Sequence, residues 1–290
     1  MNVTSIKSAP KSRCSHSMTS VNNSIIIYGG FDIFSLTIYN ELWIYNTITD
    51  MWQLYPGPFQ TENRLVSSAI CAVGNLVYVF GGKNPNLRSQ ETNFLLVFDI
   101  STGTWKTLSS HTNEYDQNSP PPMYDSCIFY HNESLYILGG YTDYQFLDNM
   151  FQFSLKTSRW TLVPQNGPKL RSTKRIFATI FKNNRLMGSV HRIENFSRSY
   201  FRVNLAISAE SLKSGIVFHN MALIDDSILY VYGGGCSIPI CSNKLERFAV
   251  QPSSLDRLCL ESIKRLPNVR SIAALLPASI ADELNINRDD

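Results

Sequence analysis

The chain has 290 residues, enough to bury a large core as one all-β domain or two ordinary ones. Apolar residues make up 43%, with 14 Tyr and 16 Phe, which excludes a disordered or collagen-like chain. A formal net charge of +3 is too small to argue for nucleic acid by itself, so any basic binding surface has to be local.

The first residues, MNVTSIKSAPKSR, lack the apolar stretch of a signal peptide, and no segment approaches the apolar run of a membrane span. The expectation is a soluble protein of the cytoplasm or nucleus that does not engage a membrane. Six cysteines (Cys14, Cys71, Cys127, Cys236, Cys241 and Cys259) are spread along the chain, a pattern that fits reduced thiols. Asn-x-Ser/Thr sequons begin at Asn2, Asn22, Asn132 and Asn195; without a secretory route they read as coincidence.

In chain order, the first distinctive stretch is SIIIYGG, a β-branched run closed by Gly29 and Gly30. The motif returns as LVYVFGG at Gly81 and Gly82, SLYILGG at Gly139 and Gly140, and ILYVYGG at Gly233 and Gly234. A fourth copy aligns KNNRLMGSVH on VNNSIIIYGG, with Val190 and His191 in place of the glycines. The period is roughly fifty residues, repeated five times. Trp52, Trp105 and Trp160 follow the first three glycine pairs at a nearly fixed distance, with an aromatic WIYN, LVFD or FQFS segment between. Each unit therefore reads as four short strands, SHSMTSV, SIIIYGG, ELWIYN and MWQLYP in the first copy, joined by turn residues.

The glycine pair, the third-strand aromatic and the fourth-strand Trp together resemble the kelch family over residues 13–266. The resemblance implies an all-β, kelch-type β-propeller of five recognisable four-stranded blades, at about 13–60, 63–110, 123–166, 171–210 and 214–266. The last blade is expected to end in RLCLESIKRL, standing for MWQLYP without its Trp. Five blades could close by themselves; alternatively, they belong to a six-bladed ring. Residues 1–12 resemble a blade's outer strand and are expected to complete the last blade. Residues 267–290 form a C-terminal tail in which ASIADEL could make a helical turn or two. Glycine allows the sharp turn out of the second strand, and the Trp packs between blades.

In such a fold the second-to-third-strand and blade-to-blade loops share one face. Here those loops are long: residues 31–40, 83–93, 109–122, 141–149, 165–175, 192–199 and 235–243. The loops of the opposite face are short turn sequences such as VNNS and NTITD. Recognition is therefore expected on the long-loop face. Tyr39, Tyr141, Tyr144 and Phe146 are candidate protein-binding residues there. Lys169, Arg171, Lys174 and Arg175 with Arg192 and Arg198, beside Phe196 and Tyr200, form a basic group. It suits an acidic protein partner or, as the alternative, tRNA.

Catalysis has little support, and no cofactor or metal is expected. No HExxH, CxxC or GxSxG occurs, and His16 and His219 hold equivalent repeat positions. The Glu-x3-Asp-x3-His spacing of the iron-dependent specifier proteins on kelch-like propellers is also lacking. Gly233, Gly234, Gly235 and Cys236 resemble the last propeller repeat of the tRNA wybutosine-synthesizing protein 4 (leucine carboxyl methyltransferase 2) family. The methyltransferase domain of that family is not part of this sequence. The expected function is a non-enzymatic protein-interaction adaptor, with an RNA-associated propeller that binds tRNA or assists a separate methyltransferase as the alternative.

Overall fold

The computed structural model describes residues 5–6, 9–58, 64–85, 90–114, 116–142, 145–164, 174–181, 185–191, 217–235, 243–249, 252–269 and 275–284. Of these, residues 5–6, 174–181, 185–191, 217–219 and 235 are described in their backbone alone.

The strands fall into the repeats expected from the glycine pairs. After β1 (Ser5–Ile6), the first blade comprises β2 (Ser17–Val21), β3 (Ser24–Tyr28), a small hairpin of β4 (Phe31–Asp32) and β5 (Thr37–Ile38), β6 (Glu41–Asn46) and β7 (Met51–Pro56). The second has β8 (Ala69–Val73), β9 (Leu76–Phe80), the small hairpin β10 (Lys83–Asn84) and β11 (Gln90–Glu91), β12 (Leu95–Asp99) and β13 (Thr104–Ser109). The third repeats this with β14 (Cys127–His131), β15 (Ser134–Leu138), β16 (Tyr141–Thr142), β17 (Gln145–Phe146), β18 (Met150–Ser154) and β19 (Arg159–Leu162). A hairpin of β20 (Lys174–Phe181) and β21 (Arg185–His191) follows, then a sheet of β22 (Val217–Ile224), β23 (Ile228–Gly235) and β24 (Leu245–Ala249). Two helices end the described chain, α1 (Leu255–Lys264) and α2 (Ala278–Glu283).

Within each blade the strands are antiparallel neighbours in sequence order, so every connection is a hairpin. The first strands β2, β8, β14 and β20 lie side by side in succession, and β22 lies against β2. The last sheet is thus next to the first, as in a ring. Three of the gaps between neighbouring blades are each filled by an apolar cluster of described residues. Ile26, Tyr28 and Ile44 meet Val77, Val79 and Phe98 between the first and second blades. Tyr78, Phe80 and Val97 meet Ile128, Leu135 and Phe153 between the second and third. Met18, Ile25 and Trp43 meet Ala222, Tyr230 and Tyr232 between the first and last. A blade is therefore buried on both faces, which is why Ile25, Ile26 and Ile27 are all fully buried and SIIIY shows no alternation.

The Trp residues occupy these gaps and face the preceding blade. Trp105 packs on Tyr28, Trp160 on Phe80, and Trp52 on Tyr232 of the last sheet. The glycines have two roles. Gly30, Gly82 and Gly140 hold φ values of +100°, +105° and +114° after the second strand, where an L side chain is strained. Gly81 also admits the next blade, since a Cβ there would stand 2.5 Å from the Met123 carbonyl oxygen.

Three expectations are corrected. RLCLESIKRL is α1, not a fourth strand: the Ser254 hydroxyl accepts the Arg257 amide as an N-cap, and Arg257 and Leu260 bury one face. The described strand of the N-terminal segment joins the first blade rather than the last: Ser5 and Ile6 pair with Gln53 and Trp52 of β7, extending the first sheet to five strands. The Tyr232 hydroxyl donates to the carbonyls of Pro10 and Lys11, which anchors the following residues between the last and first blades instead. Finally, Lys174 and Arg175 belong to β20, where the pairing register shifts between Lys174 and Ile176, rather than to a loop.

The C-terminal helices cover the short-turn side of the first blade. Arg257, 2% exposed, donates to Thr47 Oγ1 at 3.1 Å and Asn23 Oδ1 at 3.3 Å, linking two turns of that blade. Ile48 packs with Leu260 and Leu284. Asn46 donates to the Glu283 carbonyl, and the Ser254 amide donates to Asp225 in the last blade.

Candidate interaction face

The three small hairpins β4–β5, β10–β11 and β16–β17 are the second-to-third-strand loops, and each is tied to its blade's leading segment. Isolated bridges join Cys14 to Phe31, Val66 to Lys83 and Tyr124 to Tyr141. The residue after each bridge, Ser15, Ser67 or Asp125, has a left-handed φ between +53° and +57°. Their backbones are linked from blade to blade, with the Ser67 amide donating to Ser15 and the Asp125 amide to Ser67. The loops of this face therefore rest on a hydrogen-bonded frame and not on free chain.

On that frame the second and third blades carry a continuous series of rings. The Lys83 ammonium lies 4.0 Å over the Tyr124 ring. Tyr124 meets Tyr141 edge-on at 5.4 Å, and Tyr141 meets Phe146 at 4.7 Å across the β16–β17 hairpin. All four side chains are half-buried, so each keeps part of its surface toward solvent. Such a cation and ring series has the composition of a protein-binding hot spot: large apolar area, few rotamers and polar tips.

The first blade contributes differently. Tyr39 receives the Arg13 guanidinium at 4.1 Å from its ring centre. Arg13 is fully buried; it pairs with Glu41 at 2.7 Å and donates to the Gly29 carbonyl at 2.9 Å. Glu41 also accepts the Trp43 indole N–H at 2.7 Å. Arg13 and Tyr39 thus stabilise the junction of the last and first blades. At the β4–β5 tip, Ile33, Phe34 and Leu36 are exposed. The tip is fixed by Asp32, whose carboxylate accepts the Phe34 amide and the Ser35 hydroxyl.

Of the sequence candidates, the structure brings Tyr141 and Phe146 into contact and places Tyr39 in another blade, against Arg13. Tyr144, Lys169, Arg171, Arg192 and Arg198 lie outside the described residues, and Lys174 and Arg175 start β20. Sequence reasoning missed Lys83 and Tyr124. The signal was present in the repeat, because Tyr124 holds the place of Cys14 and Val66 just before the left-handed residue. An aromatic there has no scaffold role in the other copies.

A side cleft of about 330 Å³ lies between the end of β13 and Trp160. It is lined by hydroxyls of Ser109, Thr112 and Ser119 and by Glu114 and Asp116. Its wall is held by Asn93, which binds His111 Nδ1 and the Thr112 and Pro120 backbone. Burial lowers the His111 pKa.

A radial set of four-stranded antiparallel sheets, each closed by a glycine pair and packed through its Trp, defines a β-propeller of kelch type. The chain belongs to the Attractin/LZTR1 beta-propeller family, whose model matches residues 77–259. The KLHDC2/KLHL20/DRC7 Kelch-repeats domain matches residues 1–113. Kelch domain-containing protein 10 of Homo sapiens is 25% identical over 168 residues, covering 54% of this chain and 37% of that protein. The leucine-zipper-like transcriptional regulator 1 homolog of Drosophila melanogaster is 24% identical, over 53% of this chain and 16% of that protein. An N-(sulfonatooxy)prop-2-enimidothioate sulfolyase of Thlaspi arvense is 23% identical, over 54% and 46%. The chain therefore spans less than half the length of these curated relatives. The solved structure of YjhT shares the fold, with a TM-score of 0.56 at 14% identity, covering 83% of this chain and 95% of its own. None of these names supports the wybutosine likeness. Among the described residues, no helix is long and apolar enough to cross a membrane.

Proposed function

We propose that the chain is a non-enzymatic interaction scaffold that binds a protein partner through its long-loop face. The observation that carries this reading is the Lys83, Tyr124, Tyr141 and Phe146 series, which crosses two blades on hydrogen-bonded hairpins. Rings already held in place lose little conformational freedom on binding, so their burial converts efficiently into affinity. The exposed Ile33, Phe34 and Leu36 on the first-blade hairpin add apolar area to the same set of second-to-third-strand loops.

The test is affinity purification from native extract, with and without ribonuclease, using the native chain and a Tyr124→Ala/Tyr141→Ala/Phe146→Ala variant. A protein retained in the presence of ribonuclease, and lost with the triple variant, is the expected result. Retention that disappears with ribonuclease overturns it in favour of RNA. Turnover of a sulfated thioimidate by the purified protein would instead favour the chemistry in the name of the Thlaspi arvense relative.

A further inference from the structure

Three sheets of the ring are complete, and they show what the last one lacks. In each, an aromatic of the third strand meets the Trp of the fourth: Tyr45 and Trp52 at 4.7 Å, Phe98 and Trp105 at 5.0 Å, Phe153 and Trp160 at 4.9 Å. Strand register sets the members of each pair directly opposite one another. The last sheet runs β22–β23–β24, and among the described residues nothing pairs with the outer edge of β24. Phe248 lies opposite Leu229, as Tyr45 lies opposite Ile25, Phe98 opposite Val77 and Phe153 opposite Leu135. Phe248 is therefore the first half of the same aromatic pair. Phe98 and Phe153 are 0% and 1% exposed, whereas Phe248, like Tyr45 of the first sheet, is half-buried.

The two preceding residues specify more. Arg247 and Glu246 stand where the other third strands carry Ile44 and Trp43, Val97 and Leu96, or Gln152 and Phe151. Charges at those places call for opposite charges directly across. Arg247 also acts on Asp50 of the first blade, but that carboxylate is already paired with Lys264 at 2.8 Å.

We propose that β24 is a docking edge for an extended segment of a partner protein, added as an antiparallel fourth strand. Opposite Phe248, Arg247 and Glu246 the segment carries an aromatic, an acidic and a basic residue, in that order. Backbone hydrogen bonds supply the affinity of such an addition and the facing side chains its selectivity. The same two charges repel strands of the wrong pattern, so the edge is not a general template for aggregation. No aromatic, acidic, basic triplet occurs in these 290 residues, so none of them matches the pattern the edge selects. The edge is a different place from the long-loop face, and its role stands or falls independently.

The probes are two synthetic peptides, Thr-Trp-Glu-Lys-Leu-Ser and the charge-reversed Thr-Trp-Lys-Glu-Leu-Ser, added to the full chain. Amide hydrogen exchange over residues 245–249 and fluorescence anisotropy of labelled peptide are the readouts. The first peptide is expected to slow exchange in β24 and to bind about tenfold tighter than the second, from two cross-strand charge pairs turned from attractive to repulsive. A Glu246→Lys/Arg247→Glu chain is expected to reverse that preference. Slow exchange of β24 in the peptide-free protein overturns the proposal, since the edge is then already covered. Equal binding of the two peptides, or binding of neither, overturns it as well. If the doubly substituted chain does not fold, the preference on the native chain decides alone.

Discussion

The Gly234 amide donates to the Arg13 carbonyl at 3.2 Å, and the same bond runs from Gly82 to Met123 at 2.9 Å. Arg13 and Met123 hold the same place in their repeats, so the last blade grips the first as the second grips the third. A Cβ at Gly233 would approach the Arg13 carbonyl to 2.7 Å, again the relation of Gly81 to Met123. Arg13 differs from Met123 in carrying a charge, balanced by Glu41. Arg13→Ala would leave Glu41 without its cation and remove three side-chain bonds at the junction. The expected cost is about 3–5 kcal/mol in urea unfolding. A loss below 1 kcal/mol would mean the pair is not needed to hold the blades together.

Gly81 and Gly74 separate conformation from space. Both have left-handed φ, +62° and +56°, but a Cβ at Gly74 would meet nothing within 4 Å. Alanine at either site carries a conformational cost of about 1–2 kcal/mol. Gly81→Ala also pushes on the Met123 backbone, adding about 1–3 kcal/mol of overpacking. Urea midpoints of the two variants measure the difference; equal losses would show that the second glycine-pair role, admitting the next blade, carries no weight.

What could be read from the sequence was the part the repeat determines. The glycine pairs and Trp52, Trp105 and Trp160 recur because each blade solves the same packing problem, so they gave the sheets and their phase. The ends of the chain escape that logic. Ser254, Glu261 four residues after Arg257, and Lys264 in the last turn are helix signals, yet the expected phase of a fourth strand overrode them. Residues 5–6 illustrate the opposite limit: strand propensity does not say which open edge a strand will choose. At the candidate site, Tyr141 and Phe146 were legible as loop aromatics, but their partner Tyr124 sits 17 residues earlier and is brought to them by the backbone bridge to Tyr141.

Arg257 fastens α1 to the first blade, so its removal tests whether the helices stabilise the ring. Arg257→Met keeps most of the apolar stem and loses the bonds to Thr47 and Asn23. Hydrogen bonds to a charged, buried donor are worth about 1.5–3 kcal/mol, the expected fall in unfolding free energy. Hydrogen exchange should rise first in residues 255–264. Unchanged protection there would show that the Ile48, Leu260 and Leu284 contact holds the helix alone.

Asp50 gives the same attachment a pH dependence. Burial raises the Asp50 pKa, but hydrogen bonds from Lys264 and Tyr45 outweigh it and hold the group below its ordinary 3.8. A depressed folded pKa means the stabilisation is present above the unfolded value and lost as pH falls through the folded one. The pair is largely solvent-exposed, so the effect is below about 1 kcal/mol. Melting of the native chain and Asp50→Asn should differ at pH 7 and converge as the pH falls through the lowered folded-state pKa of Asp50. A constant gap across that range would assign the difference to packing instead of charge.

The ring series predicts a separation of binding from stability. Tyr124, Tyr141 and Phe146 are half-buried and lie outside the clusters that fill the gaps between blades. Tyr141→Ala or Phe146→Ala should therefore cost no more than about 1 kcal/mol of folding free energy, the worth of one cross-strand aromatic pair. Against a captured partner, the same truncations should each cost about 2 kcal/mol, the threshold of an interface hot spot. Tyr124 touches both Lys83 and Tyr141, so Tyr124→Ala should exceed either and be non-additive with Tyr141→Ala. Calorimetric affinities for the two single variants and the double variant measure that coupling. Strict additivity would mean that the rings act as separate contacts and that the series crossing from the second blade to the third is not one binding element.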